Sequence, residues 1–256
     1  MPGPVHGPMR IVRNGVGPVM LSLYWLEPGD PFPSTEEALD HPPGLLAAGG
    51  TLDTPTLVAA YKEGIFPWFN PEEPPLWWTP DPRLVFFPER FHCARRLQRR
   101  LRNARWSVSL DQAFPEVIRA CAEPRPDQPG TWISPAMIEA YEGLFHAGHG
   151  HSVEIWRDDQ LIGGLYGLQL GRVFFGESMF SREPDASKAA LFTLSALRGE
   201  LGIRLLDAQV DSGHLRSLGA ELITRTRFEH YLAQWVHGPS THPGPRPARP
   251  LAELTG

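Results

Sequence analysis

One stretch of the chain, from Arg172 to Gln209, restricts the possible folds more than any other part of the sequence. It reads as an apolar strand that ends in Glu177, a loop that opens a helix, and a second apolar strand that carries Asp207 and Gln209. Side chains alternate along a strand, so Asp207 and Gln209 are expected on the same face. Burying either group without a partner costs free energy. We therefore expect the two strands to diverge around a site that holds Glu177, Asp207 and Gln209, with a satisfied core pair as the alternative for the last two.

The segments around this stretch predict an α+β fold. Alternating apolar segments separated by short turns, from His151 to Phe180, indicate an antiparallel meander of three strands. A helix from Ser187 to about Gly199 then leads to the next strand. The order strand, helices, three-stranded meander, helix, strand, helix, strand is that of the acetyltransferase-like, or GNAT-like, α+β fold.

Composition along the chain predicts four regions. We place the GNAT-like domain at residues 86–236 and a smaller aromatic-rich N-terminal domain at residues 23–85. Residues 1–22 are rich in Gly and Pro and are expected to form a flexible extension. Residues 237–256 are rich in Pro and are expected to form a disordered tail.

Three local patterns add further expectations about structure. Thr54 is expected to cap a helix that begins with Pro55 and ends at Gly64. The segment 65–83 is rich in Pro and Trp, and we expect a rigid irregular loop that displays aromatic rings, because Pro disfavours helices and central strands. The segment I-T-R-T-R-F, which begins at Ile223, reads as a strand.

Composition also excludes several classes of protein. The longest apolar runs fall well short of the roughly 20 residues that a membrane-spanning helix needs, and the N-terminus lacks the apolar core of a signal peptide, so we expect a cytoplasmic protein. Two cysteines, Cys93 and Cys121, are expected to be free thiols. The net charge of −5 argues against a generally basic nucleic-acid coat but allows a local basic patch.

A concentrated group of arginines provides such a patch. The segment from Glu89 to Trp106 has helical spacing of apolar residues and carries seven arginines with almost no acidic residue among them. The alternatives are a solvated helix surface and a surface that binds an anionic partner. The candidates for contact with a nucleic-acid backbone are Arg95, Arg96, Arg99 and Arg100.

Three other features have competing interpretations. The tryptophans at positions 68, 77, 78 and 132 could pack in a core or stack on the bases of a single-stranded nucleic acid. A metal cluster could be formed by His146, His149, His151 and Glu154, but a solvent-facing group at a turn is favoured, and we expect no metal and no cofactor. The loop S-R-E-P-D-A-S-K lacks the glycines that cradle the pyrophosphate of coenzyme A in acetyltransferases, so the fold is expected to hold a different acyl donor.

Nine motifs in order resemble the leucyl/phenylalanyl-tRNA–protein transferase family. They are G-L-L-A-A-G-G-T-L, Y-K-E-G-I-F-P-W-F, L-W-W-T-P-D-P-R, G-T-W-I, H-S-V-E-I-W, G-E-S-M-F-S-R, A-S-K, L-L-D-A-Q-V and S-L-G-A. The resemblance covers roughly Leu23 to Trp235 and leaves both ends of the chain without an assignment.

The resemblance implies an enzyme that moves leucine or phenylalanine, with methionine as a further candidate, from its tRNA to the N-terminal Arg or Lys of a protein and so marks that protein for N-end-rule degradation. It implies that Asp207 and Gln209 are the catalytic pair and that Glu177 helps to hold the acceptor amine. It places Trp68 and Trp132 at the 3′-terminal adenosine, with Tyr61 and Tyr141 nearby. The positions that would line the aminoacyl side-chain pocket are Leu165, Phe174, Met179 and Leu206.

Several alternatives stay open at the level of sequence. Gln209, polarised by Asp207, could take the proton of the amine, or the pair could only orient the amine while the substrate moves its own proton. An amide oxygen is a very weak base, which favours orientation. The acceptor could carry an acidic N-terminal residue instead of Arg or Lys. The competing classes are a CoA-dependent N-acetyltransferase and a non-catalytic RNA-binding module.

Overall fold

A computed structural model describes residues 23–124, 131–240 and 242–255 of the chain. It divides into two compact units, with the boundary between Asp81 and Pro82. The predicted extension at residues 1–22 lies outside the described residues. None of the helices in the described part is long and apolar enough to cross a membrane.

The smaller unit is built on a four-stranded sheet with the strand order β1-β2-β4-β3. Its elements are β1 (Tyr24–Leu26), a 3-10 turn (Thr35–Glu37), β2 (Leu45–Gly49), α1 (Thr54–Lys62), β3 (Phe66–Pro67) and β4 (Leu76–Trp78). Strands β1 and β2 are parallel, and the other pairs are antiparallel. The cap of α1 is Asp53, not the predicted Thr54: its Oδ1 accepts a hydrogen bond of 2.9 Å from the Thr56 backbone N–H, and Thr54 is already helical.

The prediction of an irregular loop over residues 65–83 is wrong for its middle. Residues 76–78 form β4, an interior strand of the sheet, and Trp77 is completely buried. The Trp77 Nε1–H donates to the Gly49 carbonyl at 2.9 Å. The prolines at positions 74, 75 and 80 lie outside the strand, so every residue of β4 keeps the backbone N–H that the sheet requires. Pro67 is confined to the edge strand β3, where its missing donor is tolerated.

The larger unit contains the remaining elements in an alternation of strands and helices. Its strands are β5 (Arg83–Phe86), β6 (Ser107–Leu110), β7 (Gly150–Arg157), β8 (Gln160–Leu170), β9 (Val173–Ser181), β10 (Leu205–Gln209), β11 (Glu221–Ile223) and β12 (Arg246–Pro250). Its helices are α2 (Arg95–Asn103), α3 (Phe114–Ala122), α4 (Pro135–His146), α5 (Ala186–Ala196), α6 (Arg198–Leu201), α7 (Gly213–Ser217) and α8 (Arg225–Trp235), with 3-10 turns at Pro88–Arg90 and Leu251–Thr255.

The strands of the larger unit form one mixed sheet in the order β11-β5-β10-β9-β8-β7-β6-β12. The predicted meander is confirmed, because β7, β8 and β9 are antiparallel neighbours. Helix α5 connects β9 to β10, which run parallel. The α+β class and the acetyltransferase-like order of elements are thus observed, although β5, the first strand of this unit, begins before the predicted boundary at residue 86.

Small side chains allow α5 to lie close against the sheet. A Cβ atom placed on Gly163 of β8 would come within 2.5 Å of the Ala186 side chain. Ala186, Ala189 and Ala190 are completely buried on the face of α5 that meets the sheet. The close approach fixes the position of the loop before α5 and of the strand after it.

Two predictions for the C-terminal part are wrong. The segment from Thr224 onward is not a strand: Thr224 caps α8 by accepting a hydrogen bond from the Arg227 N–H at 3.3 Å. Phe228 and Leu232, four residues apart, form the buried face of this helix. The tail predicted to be disordered instead contains β12, which pairs with β6, and its residue Leu251 is completely buried in the main core.

Strands β9 and β10 diverge at the point where the sequence placed the polar residues. Their paired register runs from Leu205 opposite Val173 to Asp207 opposite Phe175. Glu177 and Gln209 follow just after the last pair. The gap between two parallel strands leaves room for a ligand beside both of these side chains.

Candidate active site

The three predicted catalytic residues lie together at this divergence. The Gln209 side-chain amide donates to Glu177 Oε1 at 3.4 Å, and the Gln209 backbone N–H donates to Asp207 Oδ1 at 3.0 Å. A bulge separates Asp207 from Gln209 in the pairing with β5, and Gln209 has a left-handed backbone with φ of 55°. Regular strand alternation therefore does not describe this segment. The bulge and the bond to Asp207 set the direction of the Gln209 side chain.

Arg83 is the residue of the site that the sequence interpretation missed. Its Nε and Nη2 donate to the two carboxylate oxygens of Asp207 at 2.8 and 2.6 Å, and both side chains are buried. The guanidinium also lies 4.7 Å from the centre of the Phe228 ring. Both Asp207 oxygens are bonded to the guanidinium and one also to the Gln209 backbone, so this carboxylate is fixed in place and can position its neighbours. The available signal was that Arg83 ends the motif L-W-W-T-P-D-P-R, although no local pattern connects it with Asp207, which is 124 positions away.

Tyr141 belongs to the Glu177 cluster. Its hydroxyl donates to Glu177 Oε2 at 2.6 Å, and its completely buried ring packs edge-on against Tyr166 at 5.5 Å. The hydrogen bond fixes one carboxylate oxygen of Glu177, while Gln209 contacts the other. Since the ring has no exposed face, Tyr141 is better suited to orient Glu177 than to stack on adenine.

A cavity of about 130 Å³ opens beside these polar groups. All four residues predicted for the aminoacyl pocket line it, as do Glu177, Asp207 and Gln209. The remaining apolar lining comes mainly from β5, α5 and α7. The apolar members of the lining are Phe86, Leu165, Phe174, Met179, Leu191, Leu194, Leu206, Ala208 and Leu215. The cavity thus has apolar walls and a polar end, as a site for an apolar group attached to a reactive one requires.

The aromatic residues predicted for the adenosine are found in different settings. In the smaller unit, Trp68 is 44% exposed and packs edge-on against Trp78 at 5.7 Å, while Tyr61 is buried on α1. In the larger unit, Trp132 is half-buried just before α4. Trp68 and Trp132 therefore both present ring surface that a base could cover, whereas Tyr61 supports its own helix.

Helix α2 carries the arginine patch on one face. Leu97 and Leu101 are buried, and Arg95, Arg96 and Arg99 are exposed, with no acidic partner within 4.0 Å among the described residues. Arg100 differs, because it pairs with Asp185 at 3.2 Å. The three exposed residues are free to meet an anionic partner, and Arg100 ties α2 to the loop before α5.

The start of α5 is occupied by an acidic side chain. Asp185 has a left-handed backbone with φ of 71° and receives a bond of 2.7 Å from Lys188. That hydrogen bond, with the charges of Lys188 and Arg100, holds the pKa of Asp185 below its usual value. The Ser187 backbone N–H donates to the Ser181 hydroxyl at 2.8 Å. A carboxylate and an already bonded N–H stand where a pyrophosphate would need free donors.

The histidine cluster considered from the sequence does not form. His151 and Glu154 are an odd number of residues apart on β7 and point to opposite faces. Glu154 accepts hydrogen bonds from Ser109 and Ser152, and burial raises its pKa. His151 instead meets Asp111 and His242, two residues the sequence interpretation did not connect with it. Cys93 and Cys121 are free thiols, as predicted.

Comparison with known proteins shows which family this chain resembles. Residues 85–233 match the family described as leucyl/phenylalanyl-tRNA protein transferase, and residues 50–81 match the N-terminal domain of that family. Among solved structures, a GCN5-related N-acetyltransferase from Kribbella flavida covers 63% of this chain and 57% of its own, with a TM-score of 0.36 and 13% identity.

Individual relatives match this chain in sequence over most of its length. A leucyl/phenylalanyl-tRNA–protein transferase of Chromohalobacter salexigens is 58% identical and covers 81% of this chain and 81% of its own length. A protein of the same name from Alkalilimnicola ehrlichii is 54% identical and covers 84% of this chain and 85% of its own length. Another, from Aromatoleum aromaticum, is 52% identical and covers 88% of this chain and 93% of its own length. The apolar cavity with its polar end therefore lies in a chain that belongs to the leucyl/phenylalanyl-tRNA–protein transferase family of aminoacyltransferases.

Proposed function

We propose that this enzyme transfers leucine or phenylalanine from aminoacyl-tRNA to the α-amine of a protein that begins with Arg or Lys. The observation that carries this proposal is the apolar cavity that opens onto Glu177, Asp207 and Gln209. The product would enter N-end-rule degradation, and we place the reaction in the cytoplasm, where aminoacyl-tRNA is made. The ester of the donor supplies the activation, so the proposed reaction needs no cofactor.

The size and lining of the cavity support an apolar aminoacyl group. Its volume is about 130 Å³, and an apolar cavity of roughly 150 Å³ is known to hold a benzene ring. A leucine side chain fits this space, and a phenyl ring fills it. A charged or polar side chain would lose its hydration among walls that offer it no hydrogen bond. Methionine, unbranched and flexible, is a further donor of suitable shape.

The polar end of the cavity supports attack by an amine. The α-amine has a pKa of about 8, so a useful fraction is neutral at pH 7. Its nitrogen would attack the ester carbonyl carbon, forming the C–N bond. The bond from that carbon to the ribose oxygen of the tRNA would then break, and the amine proton would pass to the departing oxygen. Holding the two reactants together can contribute up to roughly 7–11 kcal/mol to lowering the barrier.

The contacts of the three polar residues favour positioning over base catalysis. Asp207 is bonded to Arg83 and to the Gln209 backbone, and these bonds suit it to positioning Gln209 rather than to accepting a proton. The Gln209 amide donates to Glu177, which leaves its carbonyl oxygen to accept a hydrogen bond from the amine. Glu177, fixed by Tyr141, supplies the negative charge that would favour an acceptor beginning with Arg or Lys.

Two surfaces support binding of the tRNA. Arg95, Arg96 and Arg99 form an exposed cationic surface suited to phosphates, which carry no sequence information. Trp68 in the smaller unit and Trp132 in the larger one are each candidates for stacking on the 3′-terminal adenosine. We expect Trp68→Ala and Trp132→Ala each to weaken binding of aminoacyl-adenosine without affecting the apolar cavity.

The competing classes are less well supported. A CoA-dependent acetyltransferase needs free donors at the start of α5, where Asp185 and the bonded Ser187 N–H stand instead. A module that only binds RNA has no need of an apolar cavity with a buried Arg–Asp pair at its edge. Both alternatives predict the absence of aminoacyl transfer.

The decisive experiment is incubation with radiolabelled Leu-tRNA and a protein that begins with Arg, beside matched proteins that begin with Asp or Met. We expect label on the Arg protein alone. The control variant is Gln209→Gly, because glycine accepts the left-handed backbone and removes only the side chain. Loss of transfer in this variant with normal tRNA binding supports the proposal.

Each other outcome has a distinct meaning. Label on the Asp protein alone would keep the chemistry and overturn the acceptor assignment. Acetyl transfer from acetyl-CoA without transfer from tRNA would overturn the proposed function. Binding of tRNA without any transfer would assign the chain to the RNA-binding class.

A further inference from the structure

A second cluster of chemically active side chains lies in the larger unit, outside the proposed active site. It joins Asp111, directly after β6, His151 on β7 and His242 in the C-terminal segment. One ligand atom from each residue lies within 4.8 Å of the others. The side chains are 2%, 8% and 3% exposed, respectively. The three residues come from well-separated parts of the sequence, so the fold assembles the cluster.

Two imidazole rings share one carboxylate in this cluster. His151 Nδ1 is 2.9 Å and His242 Nδ1 is 3.5 Å from Asp111 Oδ2. The rings are stacked with their centres 3.6 Å apart and their planes 21° from parallel. Two protonated rings at this separation would repel strongly.

Some polar atoms of the cluster lack suitable protein partners. The Gly244 backbone N–H donates to His242 Nδ1 at 3.2 Å, so this nitrogen carries a lone pair. This nitrogen is 3.5 Å from Asp111 Oδ2, and two acceptors at that distance repel each other unless a cation or proton lies between them. His151 Nε2 is buried without a hydrogen-bond partner among the described residues. An unsatisfied buried nitrogen is uncommon in folded proteins, and an imidazole nitrogen of this kind is a potential metal ligand.

The charge of the cluster also favours a cation. Asp111 has no Lys or Arg within 4.0 Å among the described residues, and its ionisable partners there are the two histidines alone. Glu154, a second buried carboxylate, is joined to Asp111 through Ser152, whose backbone N–H donates to Asp111 and whose hydroxyl donates to Glu154. Burying a carboxylate without a compensating positive charge is costly. A divalent cation would neutralise this negative charge.

We propose that Asp111, His151 and His242 bind a divalent transition-metal ion of the zinc class. Two imidazole nitrogens and one carboxylate oxygen are a donor set that suits Zn²⁺, with a water or another group in the fourth position. The Ser152 backbone N–H, which donates to Asp111 Oδ1 at 2.7 Å, orients the carboxylate from behind. The ring of His242 would turn away from parallel stacking and exchange its bond from Gly244 for the metal.

The proposed site would attach the C-terminal segment to the sheet. Asp111 and His151 belong to β6–β7, and His242 precedes β12, which pairs with β6. A metal bound only in the folded state stabilises that state. The bound ion would therefore have a structural role, away from the apolar cavity and from the transfer reaction.

The test uses the full chain without a polyhistidine tag, stripped with a chelator and then dialysed against Zn²⁺. We expect about one bound zinc for each chain by elemental analysis, and a higher thermal unfolding midpoint in zinc than in chelator. His242→Ala should weaken zinc binding by more than roughly tenfold, since even a change behind a ligand costs 10–100-fold. It should also abolish the change in midpoint.

The matched control is His237→Ala, which removes an exposed histidine from the same segment. We expect this variant to bind zinc as the unchanged chain does. Asp111→Asn tests the carboxylate, and His242→Ala decides the matter if Asp111→Asn does not fold. No zinc uptake by the unchanged chain, or equal uptake by His242→Ala, would overturn the proposal.

Discussion

Arg83 and Asp207 place a fully buried ion pair at the edge of the active site. Both carboxylate oxygens are bonded, and the bond from the Gln209 backbone extends the network to the residue beside the substrate. The pair therefore links the stability of the larger unit to the geometry of catalysis. A buried charge that loses its partner is strongly destabilising, whereas replacing the whole pair is tolerated better.

We expect Arg83→Met to lower the free energy of unfolding by about 3–5 kcal/mol, because it leaves the Asp207 carboxylate buried without its cation. The double variant Arg83→Met/Asp207→Leu should be more stable than that single variant, since it buries no unpaired charge. Denaturant unfolding of both measures the difference. A decrease below about 1 kcal/mol for Arg83→Met would show that the pair contributes no more to stability than an exposed ion pair does.

Met179 offers a test of side-chain selection that leaves the core intact. It lines the cavity and is only half-buried, so Met179→Ala should enlarge the cavity with little loss of stability. We expect kcat/KM for Phe-tRNA relative to Leu-tRNA to rise roughly tenfold, which is within the range that one extra or missing methylene group produces. Binding of deacylated tRNA is the control and should stay unchanged. An equal effect on both donors would mean that Met179 does not select between the two aminoacyl side chains.

The sequence predicted the residues of the site that lie near one another on a strand or match a motif. Glu177, Asp207 and Gln209 fall into this group, and the structure brings them together. Arg83 ends one of the motifs, but its role could not be assigned, because its contact with Asp207 depends on β5 lying beside β10, which the sequence alone does not reveal. The hydrogen bond from Tyr141 likewise depends on how α4 meets the sheet.

At the level of elements, predictions failed where a local pattern had two interpretations. Thr224 to Phe228 alternates between Thr and Arg and resembles a strand, yet Phe228 and Leu232 have the spacing of a helix that buries one face. The prolines near β4 argue against a strand, although they only flank it. The meander was predictable because short turns and long alternating segments agreed with each other.

Helix α2 allows a prediction about salt dependence. We expect Arg95→Gln/Arg96→Gln to reduce the slope of log Kd for tRNA against log salt concentration by roughly 0.7–0.9 for each phosphate that the variant no longer neutralises. The charge-matched control is Arg172→Gln/Arg204→Gln, which neutralises two exposed arginines elsewhere. The same slope in the α2 variant and the unchanged chain would mean that α2 is only a solvated surface.

At the level of the whole molecule, the C-terminal segment completes the larger unit. The family match ends at residue 233, but Leu251 lies in the same core cluster as Leu97 and Leu101 of α2. This packing could not be predicted, because the prolines of the segment suggested disorder and its buried anchor, Leu251, belongs to no periodic apolar pattern. The position of α2, and with it the arginine patch, therefore depends on residues outside the family match.

We expect Leu251→Ala to lower the free energy of unfolding by about 2–5 kcal/mol, as other Leu→Ala changes in cores do. The matched control is Ala252→Gly, which changes an exposed neighbour in the same turn. Urea unfolding followed by tryptophan fluorescence measures both variants. A change of less than about 0.5 kcal/mol for Leu251→Ala, the size typical of surface substitutions, would mean that the segment contributes little to stability.

The sequence of β12, R-P-A-R-P, has a consequence for self-association. A strand at the edge of a sheet offers free backbone groups to which another chain can add a strand. Here β12 covers β6 and becomes the edge, and it carries Pro247 and Pro250, which have no N–H to donate to an added strand. The same prolines that made this segment look unstructured thus protect the eight-stranded sheet from aggregation through this edge.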